Sequence, residues 1–156
     1  MAKRAIMLAA IAAFGTLPTV TQGTAALGSL NDIRPGTAPN CNLGPFTVYF
    51  GYDQNELPDD APMILDNALV AARNCGNSRI MLSGHTDRVG SREYNLTLGE
   101  RRNAIVKAYL LERGVAAERI NTISYGEERP VIATEDEVHE PRNNRVEVTF
   151  SPGSGM

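Results

Sequence analysis

"SREYNLTLGERRNAIVKAYLLERG", residues 91–114, contains the signals that define one long helix. Ser91 is a residue type that caps helix N-termini, and Gly114 is the type that follows their last turn. Between them, apolar residues recur at the spacing of one helix face. The sequence therefore predicts a helix between Ser91 and Gly114, and the other elements can be placed around it.

An arginine lies in the middle of the apolar face of this predicted helix. With Leu98 set at 0° on a helical wheel, Arg102 falls at about 40°, whereas Arg101 falls at about 300°, on the margin of the face. Burying a guanidinium without an anion costs several kcal/mol, so Arg102 is expected to have a sheltered anionic partner. Arg101 is free to reach solvent.

The nearest candidate anion is Asp87, in the turn "GHTDRVG" at residues 84–90. Asp87 and Arg102 either pair directly as a structural salt bridge or stand apart and hold a ligand that carries both charges. Burial alone favours the structural pair, because buried ions usually find partners within the protein. In the ligand interpretation, Asp87 accepts from an ammonium and Arg102 donates to a carboxylate, while Asn95 adds an amide on the same face. That set matches the zwitterionic end of an amino acid.

The remaining elements alternate between strands and helices. The predicted strands are 46–50, 79–84, 119–126 and 145–150. A second helix is predicted within residues 58–76, where helical spacing is found at Met63, Ile64, Ala68, Ala71 and Ala72. Helical crossovers imply parallel strand pairs, so we expect an α+β fold of order βαβαββ: a four-stranded mixed sheet with two main helices packed on one face.

Length and charge limit the possible functions. The chain has 156 residues, which suits one domain with one core. Its 15 Lys and Arg against 18 Asp and Glu give a formal net charge of −3. The sequence therefore lacks the basic patch that nucleic-acid binding requires, and nucleic acid is not expected as a partner.

The first residues have the pattern of a secretory signal peptide. Lys3 and Arg4 precede an apolar run, and small residues follow it, so residues 1–26 are predicted to be removed. We expect a linker at 27–45, a folded domain at 46–150 and a flexible tail at 151–156. After cleavage no membrane-spanning segment is expected, and a lipid anchor is disfavoured because Cys41 lies far from the apolar run.

Export favours a disulfide between Cys41 and Cys75, because an even cysteine count in an oxidising compartment usually forms bridges. Zinc binding by these cysteines with His85 and His139 is the alternative, but no pair has the short spacing of a zinc site. No metal and no cofactor are therefore expected.

Enzyme chemistry is not expected. Ser83, His85 and Asp87 lie close in sequence, but the chain has no nucleophile-elbow motif. His85 is interpreted as a structural histidine at a strand end. No glycine pattern matches a nucleotide-binding loop.

Several ordered motifs resemble one known family. "GHTDRVGSREYNLTLGERR", "VKAYLLERGV", "RINTISYGEERP" and "NNRVEV" together are similar to the OmpA-like C-terminal domain, especially its Pal-like members. The resemblance covers about residues 46–150. It implies a non-catalytic module that binds peptidoglycan at the diaminopimelate of the stem peptide. By this resemblance Asp87 and Arg102 hold the amine and carboxylate of diaminopimelate, and Asn95 and Leu98 complete the pocket.

The chain departs from the family pattern at several positions. Gly51 stands where the first acidic side chain of the pocket wall is usual, so that side chain is missing, and Asp53 is expected to remain a contributor to the pocket. Asn144 replaces a usual arginine, which puts that local pairing in doubt. Asn103 replaces a small residue and falls at about 140° on the wheel, off the expected core face.

The resemblance also implies where the protein works. It predicts the periplasm of a Gram-negative bacterium, attachment to the cell wall and an association with the outer membrane. The alternative is an envelope adaptor whose main ligand is a protein, such as a Tol-type or outer-membrane partner. In that case Asp87 and Arg102 are merely structural.

Overall fold

The computed structural model describes residues 41–153, which contain four strands and two α-helices. In chain order these are β1 (Leu43–Tyr49), α1 (Ala61–Ala71), β2 (Arg79–His85), α2 (Arg92–Glu112), β3 (Ile120–Gly126) and β4 (Arg145–Ser151). Short 3-10 turns occupy Ala117–Arg119 and Pro141–Asn143.

The strands form one mixed sheet in the order β1-β4-β2-β3. β2 and β3 are parallel, and α2 connects them because parallel strands need a crossover. β4 runs antiparallel to both of its neighbours, β1 and β2. The expected α+β fold, with a four-stranded mixed sheet and two main helices, is confirmed.

The hydrophobic core lies between the sheet and the two helices. Alternate strand residues point to the same side, so β4 contributes Val146, Val148 and Phe150 while β2 contributes Ile80 and Leu82. All five are buried. The helices add a second set of buried residues to this core: Ala61, Leu65, Ala68, Val106, Tyr109 and Leu110.

Both ends of α2 lie where the sequence places them. The Ser91 hydroxyl accepts a hydrogen bond from the backbone N–H of Tyr94 at 3.2 Å, which caps the first turn. Gly114 has a φ of 84°, the left-handed conformation that follows a helix C-terminus. Neither described helix is both long and apolar enough to cross a membrane.

The inner face of α1 differs from the predicted one. Ala61, Leu65 and Ala68 are buried, whereas Met63 and Ala71 face solvent. The large Leu65 side chain packs into the core and fixes the rotation of the helix. Helical spacing was correct, but Met63 was assigned to the wrong side.

The limits of the folded region are wider than expected. β1 begins at Leu43, inside the segment predicted as a linker, because Leu43 pairs with Phe150 of β4. β4 extends to Ser151, which pairs with Arg79. These pairings join residues far apart in sequence, so local composition does not reveal them. The predicted signal peptide, residues 27–40 and residues 154–156 lie outside the described residues.

The predicted disulfide is present. Cys41 and Cys75 are bonded, with their Cα atoms 5.6 Å apart, and join the start of β1 to the loop after α1. The bond closes a separation of 34 residues. In the chain-entropy account, a loop of this size stabilises the fold by about 4 kcal/mol. The zinc alternative is excluded because both thiols are used.

Two glycines bring α2 close to the sheet. A side chain at Gly84 of β2 would clash with the carbonyl oxygen of Gly99 in α2, and one at Gly99 would clash with Ser124 of β3. Because α2 and β3 are this close, the Ser124 hydroxyl can donate a hydrogen bond to the Leu96 carbonyl at 2.7 Å. The first half of α2 therefore lies against the sheet at backbone distance.

The prediction for Asn103 was wrong. This side chain is buried, and its amide nitrogen donates to the Ile123 carbonyl of β3 at 2.8 Å. A wheel centred on Leu98 describes only one face of the helix, whereas β3 covers the adjoining flank. The two arginines were predicted correctly, since Arg101 is exposed and Arg102 is buried.

Candidate ligand-binding site

Arg102 is fully buried, with 0% of its surface exposed. Its guanidinium donates to four oxygen atoms, which belong to the carbonyls of Gln54 (2.9 Å), Gly51 (3.0 Å) and His85 (3.1 Å) and to the Asn144 side chain (2.8 Å). Two of these carbonyls come from the loop after β1. Gly51 has no acidic side chain, but its backbone carbonyl oxygen accepts a hydrogen bond from Arg102.

The expected direct anionic partner of Arg102 is not found among residues 41–153. No carboxylate of this range lies within ion-pair distance of its guanidinium, so a direct salt bridge with Asp87 is absent there. Burial lowers the Arg102 pKa to about 10, while the negative charges of Asp87 and Asp53 act in the opposite direction. A buried cation whose neighbours are neutral oxygens favours the approach of an anion.

Asn144 joins the two charged residues. Its side-chain oxygen accepts from Arg102 at 2.8 Å, and its side-chain nitrogen donates to Asp87 Oδ2 at 2.8 Å. The same Asn144 oxygen also accepts from the Asp87 backbone N–H at 3.3 Å. An amide can serve both partners because it carries a donor and an acceptor. The residue that replaces the family arginine therefore links Asp87 to Arg102.

Asp87 is almost fully buried and has two further donors. His139 Nδ1 lies 2.5 Å from Asp87 Oδ2, and the Val89 backbone N–H donates to Asp87 Oδ1 at 3.3 Å. The carboxylate is thus held by the turn after β2 and by the loop before β4.

A small cleft with a cavity volume of about 20 Å³ opens beside these residues. It is lined by Tyr52, Asp53, Asp87, Val89, Tyr94, Asn95, Leu98 and Asn144. Four of the predicted site residues, Asp53, Asp87, Asn95 and Leu98, therefore lie together. Arg102 is not a lining residue and lies behind the Asn144 side chain.

Asn95 is buried at the cleft and is oriented by an acidic residue. Its side-chain nitrogen donates to Glu127 Oε2 at 2.6 Å. Glu127 directly follows β3, so it belongs to the loop at the same end of the sheet as the Asp87 turn. This contact leaves the amide oxygen of Asn95 as the acceptor that can serve a ligand.

The rim of the cleft is aromatic and acidic. The Tyr94 hydroxyl donates to the Asp53 carboxylate, and this hydrogen bond raises the Tyr94 pKa. Tyr52 packs edge-on against His139, with ring centroids 5.0 Å apart. Asp53 has a φ of 52°, which is uncommon for a residue with a side chain. The loop after β1 thus reaches α2 on one side and the loop before β4 on the other.

Five residues at the site were not predicted to belong to it: Tyr52, Val89, Tyr94, His139 and Asn144. Asn144 was singled out only as a departure, and His139 only as a possible zinc ligand. The only signal that pointed to Asn144 was that it stands where an arginine is usual, and this did not place it near Asp87. No local pattern places His139 near Asp87, because the two are 52 positions apart.

His85 lies next to the site but outside the cleft. Its buried ring stacks on Tyr125, with centroids 5.4 Å apart and planes 25° from parallel. Burial, aided by the positive charge of Arg145, lowers the His85 pKa to about 4. The burial of His85 agrees with the expectation of a structural histidine, but that of a satisfied one does not hold, because neither ring nitrogen has a hydrogen-bond partner among the described residues. Asp87 makes its side-chain contacts elsewhere.

The sequence matches the OmpA family over residues 49–144. A peptidoglycan-associated lipoprotein of Pseudomonas aeruginosa is 43% identical over 102 residues, which is 65% of this chain and 60% of that protein. The chain thus spans less than two thirds of the length of that relative. A peptidoglycan-associated lipoprotein of Agrobacterium fabrum is 36% identical over 154 residues, covering 97% of this chain and 85% of that protein.

A solved structure has the same fold. The peptidoglycan-associated lipoprotein from Burkholderia pseudomallei superimposes with a TM-score of 0.62 at 30% identity, covering 67% of this chain and 89% of that chain. The family match contains Asp87, Arg102 and Asn144. Sequence, fold and relatives agree, and the chain belongs to the OmpA family.

Proposed function

We propose that this protein binds peptidoglycan without covalent attachment, at the diaminopimelate of the stem peptide. In this way it helps to anchor the outer envelope of a Gram-negative cell to its wall, from the periplasm. Support comes from relatives named peptidoglycan-associated lipoproteins. The observation that carries the proposal is that Asp87 and Arg102 stand on two sides of one amide, Asn144, beside a cleft.

The chemistry of this arrangement suits the zwitterionic end of an amino acid. Asp87 accepts hydrogen bonds from the ammonium, and the guanidinium of Arg102 donates to the carboxylate. Leu98 forms an apolar wall of the cleft against which the carbon chain of diaminopimelate packs. Recognition of this kind uses binding alone and needs no nucleophile, metal or cofactor.

Two-point binding of a carboxylate at Arg102 requires the loop after β1 to change conformation. Four of the five N–H donors of the guanidinium are already used, two of them by the carbonyls of Gly51 and Gln54, so a ligand carboxylate that takes two donors must replace one of the present partners. Asp53, between these two residues, has the uncommon φ of 52°. A loop held in such a conformation gains backbone freedom when it opens, which lowers the cost of the exchange.

A second candidate function is supported by the same burial. Arg102 has no exposed surface and four hydrogen bonds, as expected of a residue that only holds the loops together. The protein would then be an envelope adaptor whose main ligand is a Tol-type or outer-membrane protein. Asp87 and Arg102 would be needed for folding and not for wall binding.

Co-sedimentation with purified diaminopimelate-containing sacculi separates these two functions. The variants to compare with the wild type are Asp87→Asn, Arg102→Lys and the neighbouring Arg101→Lys, each first shown to be folded by circular dichroism. We expect Asp87→Asn and Arg102→Lys each to weaken binding at least tenfold, since a charge-assisted hydrogen bond contributes about 1.5–3 kcal/mol. Arg101→Lys is the matched control because Arg101 is exposed on the same helix, and it should bind like the wild type.

If folded Asp87→Asn and Arg102→Lys both pellet as the wild type does, the ligand-binding proposal is wrong and the adaptor function is favoured. Competition by free meso-diaminopimelate provides an independent measurement. Free meso-diaminopimelate should release the wild type from sacculi. Release by added salt, without release by meso-diaminopimelate, would indicate non-specific attachment.

A further inference from the structure

The carboxylate of Asp87 is in contact with a histidine from a distant loop. His139 Nδ1 lies 2.5 Å from Asp87 Oδ2, and it must donate because an ionised carboxylate only accepts. The His139 side chain is 44% exposed, against 5% for that of Asp87. The imidazole therefore covers the solvent side of Asp87, where the ring of Tyr52 supports it.

His139 occupies one of the acceptor positions of Asp87 that an ammonium group could use. Oδ2 of Asp87 accepts from His139 and Asn144, whereas Oδ1 accepts from the Val89 backbone alone, so the competition concerns a donor that binds Oδ2. A new donor that approaches Oδ2 must displace His139 or Asn144. Asn144 is buried and also bonded to Arg102, so the half-exposed His139 is the donor that can leave.

We propose that His139 competes with the ammonium of the ligand for Asp87, so that protonation of His139 weakens binding. This inference rests on the proposed function and adds a regulation of the same site by pH. An imidazolium holds a carboxylate by a charge-assisted hydrogen bond, which is stronger than the bond from a neutral imidazole. The ligand therefore displaces His139 more easily as pH rises.

The groups around His139 allow this titration to be isolated. Asp87 faces it from the turn after β2, Tyr52 from the loop after β1, and Glu140 from its own loop. Arg102 of α2 lies behind Asp87, linked through Asn144.

Imidazole is the side chain whose ordinary pKa lies between pH 5 and 8. The chain has only two histidines, and burial lowers the pKa of the other, His85, to about 4. A change in affinity between pH 5.5 and 8 that is lost when His139 is replaced therefore reports on His139.

The test measures binding of a soluble stem tripeptide ending in meso-diaminopimelate by isothermal titration calorimetry at pH 5.5, 6.5, 7.5 and 8. We expect the affinity of the wild type to rise about fivefold across this range, because the loss of a partly exposed ion pair changes an equilibrium constant by about this factor. His139→Ala should be independent of pH and bind tighter than the wild type at pH 5.5. His139→Gln keeps a neutral donor, so its affinity should also be independent of pH.

Three results would overturn the proposal. A pH-independent wild type would mean that no competition occurs, and weaker binding by His139→Ala at every pH would make His139 a ligand contact. Both leave the proposed function intact. Absence of tripeptide binding by the wild type at all pH values would refute the proposed function and this inference with it. As a separate measurement, the ring resonances of His139 should shift when tripeptide saturates the protein, and unchanged resonances in the bound protein would contradict displacement.

Discussion

The two halves of α2 pack against the same sheet with different chemistry. The C-terminal half buries Val106 and Leu110 in the hydrophobic core. The N-terminal half and the middle of the helix bury Asn95, Arg102 and Asn103, which are hydrogen-bonded to loops and strand carbonyls. One continuous helix thus has an apolar half that stabilises the sheet and a polar half that forms the candidate site.

This difference explains how a small domain can hold a buried cation. The apolar half gains free energy by removing surface from water, whereas the polar half roughly breaks even because each buried group must first lose its hydration. The polar half therefore depends on the apolar half for its position. Substitutions in the apolar half should therefore mainly lower stability, and substitutions in the polar half should mainly weaken binding.

The largest loss of stability is expected from Leu110→Ala. Leu110 is fully buried in the core, and removing such a side chain typically costs about 3 kcal/mol. Urea unfolding followed by circular dichroism measures this loss. The folded fraction should bind stem tripeptide with the affinity of the wild type, and a large loss of affinity would mean that the two halves are not separable.

A smaller loss of stability with a clear loss of binding is expected from Asn144→Ala. The variant removes hydrogen bonds to two charged groups, so we expect a cost of about 2 kcal/mol and a weaker affinity for stem tripeptide. Asn103→Ala is the matched control because it removes a buried amide that bonds only a neutral carbonyl of β3. Equal effects of the two variants on affinity would show that the Asp87–Asn144–Arg102 link has no special role.

The buried His85 should make stability depend on pH. Its pKa is lowered from 6.5 to about 4 in the folded protein, so the unfolded chain binds the proton more readily between these values. Stability is therefore complete above pH 6.5 and decreases as pH falls, by about 1 kcal/mol between pH 7.5 and 5.5. Urea midpoints across this range measure the effect. His85→Phe keeps an aromatic ring against Tyr125 and should remove this part of the pH dependence, and an unchanged slope would assign it to other groups.

The smallest effect is expected from Ser91→Ala. The variant removes the hydrogen bond to the Tyr94 backbone N–H, and loss of an N-cap typically costs about 1 kcal/mol or less in an exposed helix end. Because the cap lies at the polar end of α2, fraying should reach Tyr94 and Asn95 first. Hydrogen exchange of the first turn should therefore increase, while exchange at Val106 and Leu110 stays unchanged. Faster exchange along the whole helix would argue against two separable halves.

The sequence was sufficient for the parts of the fold and site that depend on local spacing. The cap at Ser91, the stop at Gly114 and the burial of Arg102 all follow from residues within one helix. The contacts of Asp87 do not, because Asn144 is 57 positions away and reaches it only once β4 pairs with β2. For the same reason Asn103 was misplaced, since a wheel cannot show that β3 covers a second flank of α2.

The path of β1 has a mechanical consequence. β1 (Leu43–Tyr49) lies between the disulfide at Cys41 and the Gly51 carbonyl that accepts from Arg102. Under the proposed function, a pull on Cys41 against a ligand held in the cleft would act along β1 and load its hydrogen bonds to β4 together, in shear, while the disulfide would transfer part of the force to the end of α1. These strand bonds would then have to break together and not one after another.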